Sequence, residues 1–393
     1  MSQRKEMKNK FAERVKNAPR SFTRKILDLT KDSSVISFAG GLPDESLFPH
    51  ELIKEEIENV LNSFKKSLYQ YSPAMGVEEL RAQISKNYEA TCSDEILLTN
   101  GSQQGLDLIA KAFINEGDTI VVESPSYLAA LNLFALYNPN IIDVGLSKSG
   151  VDTQELEEIF KSKNPKFFYV IPTFQNPTGW SWYKETREEV ARLAKKYEII
   201  IIEDSPYDAI RYEGTRPVGF ATLLPHQTIN LGTFSKTLVP DFRIGWIRAN
   251  EEFITVLRGL KESSDLQSSK FFQHVVAKLL KSGKLSLHVK KIITTYKEKR
   301  NAMARALAEN FKDEVEYEIP EGGMFFWITF KKNVDTMKLF DFAIKEDVAF
   351  VPGSVFYKDA RISNNARVNF THASLEDIEK GIKNLKSAYL KYI

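Results

Sequence analysis

One cysteine, Cys92, stands in 393 residues. A lone thiol leaves no intramolecular disulfide to consider and fits a reducing compartment, so a cytoplasmic protein held by packing is expected. Histidine is as sparse: His50, His226, His274, His288 and His372 are scattered without ligand spacing, and no metal site is expected. Neither sign of charge is in excess. Lys+Arg 54 stand against Asp+Glu 52, which removes the basic field of a nucleic-acid binder. Long apolar runs are missing too, since "EIIIIED" at Glu198 to Asp204 falls far short of the ~18 residues that cross a bilayer. Neither G-x-G-x-x-G nor G-x-x-x-x-G-K-[ST] occurs, so no dinucleotide or P-loop fingerprint is present. The start is basic, but Glu6 and Glu13 interrupt it and it lacks the apolar core of a secretory signal. A solvated arm is the simpler reading, with mitochondrial import left open.

What is present has an order. From Asp94 to Ala249 short apolar runs alternate with helical patterns: "DEILLTNG", "DTIVVESP", "PKFFYVIP", "EIIIIEDS", "TINLGTFS" and "RIGWIRA". Strands apolar on both faces and separated by helices predict an α/β fold with a mainly parallel sheet covered by helices. In "KETREEVARLAKKY", Val190, Leu193, Ala194 and Tyr197 follow i, i+3, i+4, i+7 and make one apolar stripe. After about Leu285 the pattern changes to a long charged helix and the strands "GMFFWITF", "VAFVPG" and "RVNFTH". A last helix follows, with Ser374 and Asp377 as its capping pair and apolar Leu375, Ile378, Ile382 and Leu385. The expected division is a large domain over residues 46–282 and a smaller α+β domain built from 1–45 and 283–393.

Four segments follow apolar runs directly, at the strand ends where open α/β sheets place ligands. They are "TNGSQQG" (Thr99 to Gly105), "FQNPTG" (Phe174 to Gly179), "EDSPYD" (Glu203 to Asp208) and "TFSKTLVPDFR" (Thr233 to Arg243). A parallel sheet would gather all four on one edge. The first is a strand, a glycine turn and a helix start carrying Ser102 and Gln103, where free N–H groups and the dipole suit a phosphate. A plain serine cap would look the same. Lys236 in isolation reads as a solvated lysine. At the edge of a desolvated pocket it is the residue type that forms Schiff bases with carbonyls. Arg243, Thr233 and Ser235 could bind the same phosphate that Ser102 and Gln103 approach. Asp204 ends the most apolar strand, where a carboxylate is costly without a cationic partner; a pyridinium N–H would be one. Tyr207 and Asn176 could reach the same ring, although a packing tyrosine and a turn asparagine are the plainer readings.

These residues together make the chain resemble the pyridoxal-phosphate-dependent aminotransferases of fold type I, class I/II, closest to the 2-aminoadipate and kynurenine/aromatic subgroup. The likeness runs from "SFAGGLPDESLFP" through "QYSPAMGVEELR", "GSQQGLDLIAKAF", "ESPSY", "NPTG", "EDSPYD", "FSK...R" and "PEGGMFFW" to "ARVNFTHAS". It implies pyridoxal 5'-phosphate as cofactor, held by Lys236 as a Schiff base, with the same lysine as general acid/base. It implies Asp204 on the pyridinium nitrogen, Asn176 and Tyr207 on the phenolic oxygen, and Tyr127 on the ring face. Ser102, Gln103, Ser235 and Arg243 would bind the phosphate, and Tyr71 would reach the phosphate of a neighbouring subunit in a homodimer. Arg367 would clamp the substrate α-carboxylate beside the backbone of Gly41. Arg24, with Phe22 nearby, would meet a distal carboxylate. Ser205 and Asp241 depart from the subgroup's usual Asp and Gly.

The implied reaction moves an amino group from an L-amino acid to 2-oxoglutarate by a ping-pong route, so amino acids and 2-oxo acids are the expected partners. A β-lyase or decarboxylase on the same Schiff base is the alternative. An effector-binding regulator is the other, disfavoured because about forty residues before "AGGLP" are too few for a winged-helix module.

Overall fold

A computed structural model of the chain describes residues 10–16, 34–359 and 361–393. Its centre is an eight-stranded sheet in the order β2-β9-β8-β7-β6-β3-β4-β5. These strands are β2 (Ile96–Asn100), β3 (Thr119–Ser124), β4 (Asn140–Ser147), β5 (Gly150–Val151), β6 (Phe167–Val170), β7 (Ile200–Asp204), β8 (Thr228–Thr233) and β9 (Ile244–Arg248). Pairings β8–β7, β7–β6, β6–β3 and β3–β4 are parallel; β9 runs antiparallel to both neighbours, and β5 to β4. The mainly parallel, helix-covered sheet expected from the apolar runs is present, with β9 as the reversed strand.

Alternation along β6 shows why both faces are covered. Phe167 and Tyr169 pack on one side with Leu106, Ile109 and Ile254, whereas Phe168 and Val170 pack on the other with Leu156, Phe160, Val190 and Leu193. Helices α1 (Ser102–Phe113) and α2 (Glu251–Asp265) supply the first side, and α3 (Thr153–Lys163) and α4 (Lys184–Lys196) the second. Each large apolar side chain so buried contributes about 1.5–3 kcal/mol. The stripe Val190, Leu193 and Ala194 is buried as its spacing requires.

A second lobe holds the four-stranded sheet β10-β11-β14-β13: β10 (Val315–Glu316), β11 (Phe325–Phe330), β13 (Val351–Pro352) and β14 (Asn365–Asn369). Helices α5 (Lys284–Phe311), α6 (Thr336–Lys345) and α7 (Leu375–Tyr392) pack on it. Ser374 caps α7 by accepting the Asp377 N–H at 3.0 Å. The "VAFVPG" run differs from the single strand expected. Val348–Ala349 (β12) pairs in parallel with β1 (Ile36–Ser37), Val351–Pro352 pairs with β14, and Phe350 between them turns into the core against Phe340. "GMFFWITF" also starts its strand late, because Gly323 sits at φ +73° and only Phe325 onward is extended into the ladder.

Candidate active site

β2, β6, β7 and β8 all point the same way, so the segments that follow them meet at one sheet edge. There a cavity of about 470 Å³ is lined by Gly41, Ser102, Gln103, Tyr127, Asn176, Asp204, Tyr207, Ser235, Lys236, Arg243 and Arg367, with Leu128, Asn132 and Phe356 beside them. The structure therefore brings together the sequence candidates with three exceptions. Tyr71 lies outside this cavity and is 77 % exposed. Arg24 and Phe22 lie outside the described residues.

Lys236 is half-buried and donates from Nζ to the Gly41 carbonyl at 2.8 Å. Burial pushes its amine down to about 8, helped by the charges of Arg367 and Arg243. Asp204, the last residue of β7, is buried, and its Oδ2 accepts from the Tyr169 hydroxyl at 2.9 Å. Its Oδ1 has no protein hydrogen-bond partner among the described residues. Burial pushes this carboxyl up to about 7; the Tyr169 bond opposes the rise and Asp208 adds to it.

Arg367, on β14 of the second lobe, donates from Nη1 to Asn176 Oδ1 at 2.7 Å and from Nη2 to the Ala39 carbonyl at 2.6 Å, leaving Nε without a partner among the described residues. Its guanidinium lies 4.3 Å from the Phe325 ring centroid and 5.2 Å from that of Phe356. Burial lowers it to about 10, so it remains a cation at neutral pH. Burial holds the Tyr207 phenol well above its ordinary range, although a hydrogen bond with Asn176 works against this. Tyr127 opens the helix Leu128–Ala135, and burial with the nearby Asp204 charge pushes its phenol up to about 12.

Also lining the cavity, α1 begins at Ser102, where the first N–H groups have no intrahelical acceptor. Gly101 before it sits at φ +73°, and a Cβ there would lie 2.3 Å from Arg243 Nη2. Thr233 Oγ1 and Ser235 Oγ are 3.0 Å apart, and Ser235 N–H donates to Thr233 Oγ1 at 3.1 Å. Arg243 itself is left-handed, φ +51°, and closes the turn from Pro240–Phe242 into β9. Asp241 sits in that turn, and Ser205 accepts from Asn230 Nδ2 at 3.1 Å.

Sequence reasoning missed the supports. Tyr169 is one. Glu123 is another: it accepts from Ile171 N at 3.1 Å, Gln175 Nε2 at 3.2 Å and Trp182 Nε1 at 3.1 Å, while burial pushes it up to about 8. Gln175 in turn accepts from Thr178 N at 2.9 Å, which sets the loop that presents Asn176. The signal for Tyr169 was a hydroxyl in an otherwise apolar strand; it gains meaning only from the β6–β7 register.

A pyridoxal phosphate fits this donor set. A buried carboxylate oxygen lacks a partner among the described residues, a lysine whose amine burial pushes down faces the same cavity, and the helix start at Ser102, with Ser235 and Arg243, also lines it. The family model "Aminotransferase class I and II" matches residues 34–385, and the chain belongs to that family of pyridoxal-phosphate-dependent transaminases. It is 41 % identical over 387 residues to an aromatic-amino-acid aminotransferase of Thermococcus litoralis, covering 95 % of this chain and 93 % of the relative. It superposes on the kynurenine aminotransferase of Pyrococcus horikoshii with a TM-score of 0.94 at 37 % identity, and on the α-aminoadipate aminotransferase LysN of Thermus thermophilus, complexed with N-(5'-phosphopyridoxyl)-L-leucine, with 0.92 at 33 %. Both superpositions cover 98 % of each chain. No group of residues suited to a metal ion and no helix long and apolar enough to cross a membrane occurs among the described residues.

Proposed function

We propose that this aminotransferase takes the amino group of L-amino acids with aromatic, kynurenine-type, 2-aminoadipate or aliphatic side chains and passes it to 2-oxoglutarate by a ping-pong route. The observation that supports this best is Arg367, a buried cation on the second lobe facing the cavity that holds Lys236 and Asp204. Its planar fork suits the α-carboxylate common to amino and 2-oxo acids.

Bound pyridoxal phosphate supplies an aldehyde for the amino group and an electron sink for the Cα electrons. The chain's own residues do the rest. Lys236 Nζ anchors the cofactor and, when freed, holds and moves the proton at Cα. Asp204 Oδ1 keeps the ring nitrogen protonated, with Oδ2 fixed by Tyr169. Asn176 and Tyr207 orient the phenolic oxygen, and Tyr127 covers the ring face. Ser102, Gln103, Ser235 and Arg243 hold the phosphate. The Gly41 backbone approaches the carboxylate that Arg367 binds, and Arg24 meets a distal carboxylate. The exposed Tyr71 serves the phosphate of a second copy in a homodimer, and the single free Cys92 suits the cytoplasm.

The test is a panel of amino donors with 2-oxoglutarate, compared by kcat/KM. Stoichiometric glutamate and 2-oxo acid are expected. Release of carbon dioxide or of a side-chain fragment without glutamate would instead assign a decarboxylase or β-lyase.

A further inference from the structure

Behind the turn that joins β2 to α1, outside the cavity, lies a charged cluster with no place in the chemistry above. Lys261 is fully buried, and its Nζ donates to Asp265 Oδ1 at 2.7 Å. The other oxygen, Asp265 Oδ2, accepts from Asn100 Nδ2 at 2.5 Å and from Gln104 Nε2 at 2.7 Å. Gln104 Oε1 then accepts the Asn100 N–H at 2.8 Å. Burial pushes the Lys261 amine down, and the Asp265 pairing opposes this.

Helix energetics do not explain the arrangement. Asp265 is the last residue of α2, where a negative charge opposes the macrodipole, and lysine before aspartate is the less favourable i,i+4 order. Lysine is among the residues least often buried. The reason lies in the partners: Asn100 precedes and Gln104 follows the three residues Gly101, Ser102 and Gln103. One carboxylate therefore grips both ends of the turn that presents the start of α1. A bare carboxylate so near an anion site would repel the anion, and Lys261 cancels that charge.

We propose that Asp265, neutralised by Lys261, is a positioning residue for the cofactor phosphate, holding the Asn100–Gln104 turn so that its N–H groups and Ser102 face the anion. This rests on the reading that the turn binds that phosphate. The full-length protein, stripped of cofactor, is reloaded with either pyridoxal phosphate or pyridoxal and the affinities are read from absorbance. Arg243→Met tests the underlying reading: it should weaken pyridoxal phosphate alone. Asp265→Ala is expected to weaken pyridoxal phosphate tenfold or more and pyridoxal less than twofold. Lys261→Met is expected to act in the same direction. Should Asp265→Ala fail to fold, Gln104→Met removes one arm of the grip and is expected to cost severalfold for pyridoxal phosphate alone. If Arg243→Met discriminates the two ligands while the foldable Asp265 or Gln104 variant weakens both equally, or neither, the proposal is overturned. If Arg243→Met does not discriminate, the phosphate reading itself falls.

Discussion

Lys236 in the free protein loses its proton near pH 8, chiefly because it is buried and secondly because Arg367 and Arg243 face it. The neutral amine is the attacking form, and at pH 7 it makes up about a tenth of the population. Attachment of pyridoxal phosphate to the stripped protein should therefore accelerate about tenfold per pH unit below 8 and level off above it. Stopped-flow absorbance across pH 6 to 9 reads this directly; a flat profile would contradict it. Lys236→Ala should lose the borohydride-reducible attachment and nearly all turnover. Tyr169→Phe tests the neighbouring carboxylate. Without that bond Asp204 rises above 7, so at neutral pH more of it is protonated and lacks the charge that pairs with a ring N–H. Cofactor affinity should fall severalfold at pH 7 and recover as the pH rises. A loss that does not vary with pH would mean that Tyr169 only fills space. Lys236 and Asp204 were legible in the sequence because each stands at or just past the end of a short apolar run that reads as a strand. Tyr169 and Asp265 were not, because their roles depend on partners 35 and more than 160 residues away.

Element directions were harder to read than element positions. An apolar pentapeptide such as "IGWIR" carries no arrow, and β9 is reversed because the connection 234–243, closed by the left-handed Arg243, brings the chain back between β8 and β2. The same turn makes Gly245 obligatory: a Cβ there would stand 2.6 Å from the Gly101 carbonyl carbon and the Ser102 nitrogen. Gly245→Ala must push the Gly101–Ser102 turn aside, since backbone cannot swing away as a side chain can. The expected result is a stability loss of about 1–3 kcal/mol, as for overpacked cores, together with weaker pyridoxal phosphate binding. Denaturant unfolding and cofactor titration measure the two. The split of "VAFVPG" into β12 and β13 was illegible for a similar reason, since its two halves answer to partners at opposite ends of the chain.

At the scale of the whole molecule, the cavity lies between elements that the two lobes contribute separately. Asp204 ends β7 and Lys236 stands in the turn after β8 of the central sheet, whereas Arg367 comes from β14 of the second lobe. A non-reacting dicarboxylate that engages Arg367 should raise the melting temperature of the loaded protein, adding about 2.7 kcal/mol at a hundred times its Kd. Arg367→Met should abolish the rise. The stretch from Ile36 to Asp44 joins this lobe through many bonds. Phe38 N–H donates to Ala349 O at 2.8 Å, Asn369 N–H to Phe38 O at 2.8 Å, Thr371 Oγ1 to Leu42 O at 2.9 Å, and Lys299 Nζ to Asp44 Oδ2 at 2.6 Å. Against these stands the Lys236 bond to Gly41 O, which requires a free amine. In terms of amide hydrogen exchange, Ile36 to Asp44 will therefore open with β14 and α7, although 328 residues separate Ala39 from the Arg367 that holds it. Protection factors from Ile36 to Asp44 will follow the C-terminal lobe when the sheet is perturbed, so this early stretch will behave as part of the chain's end.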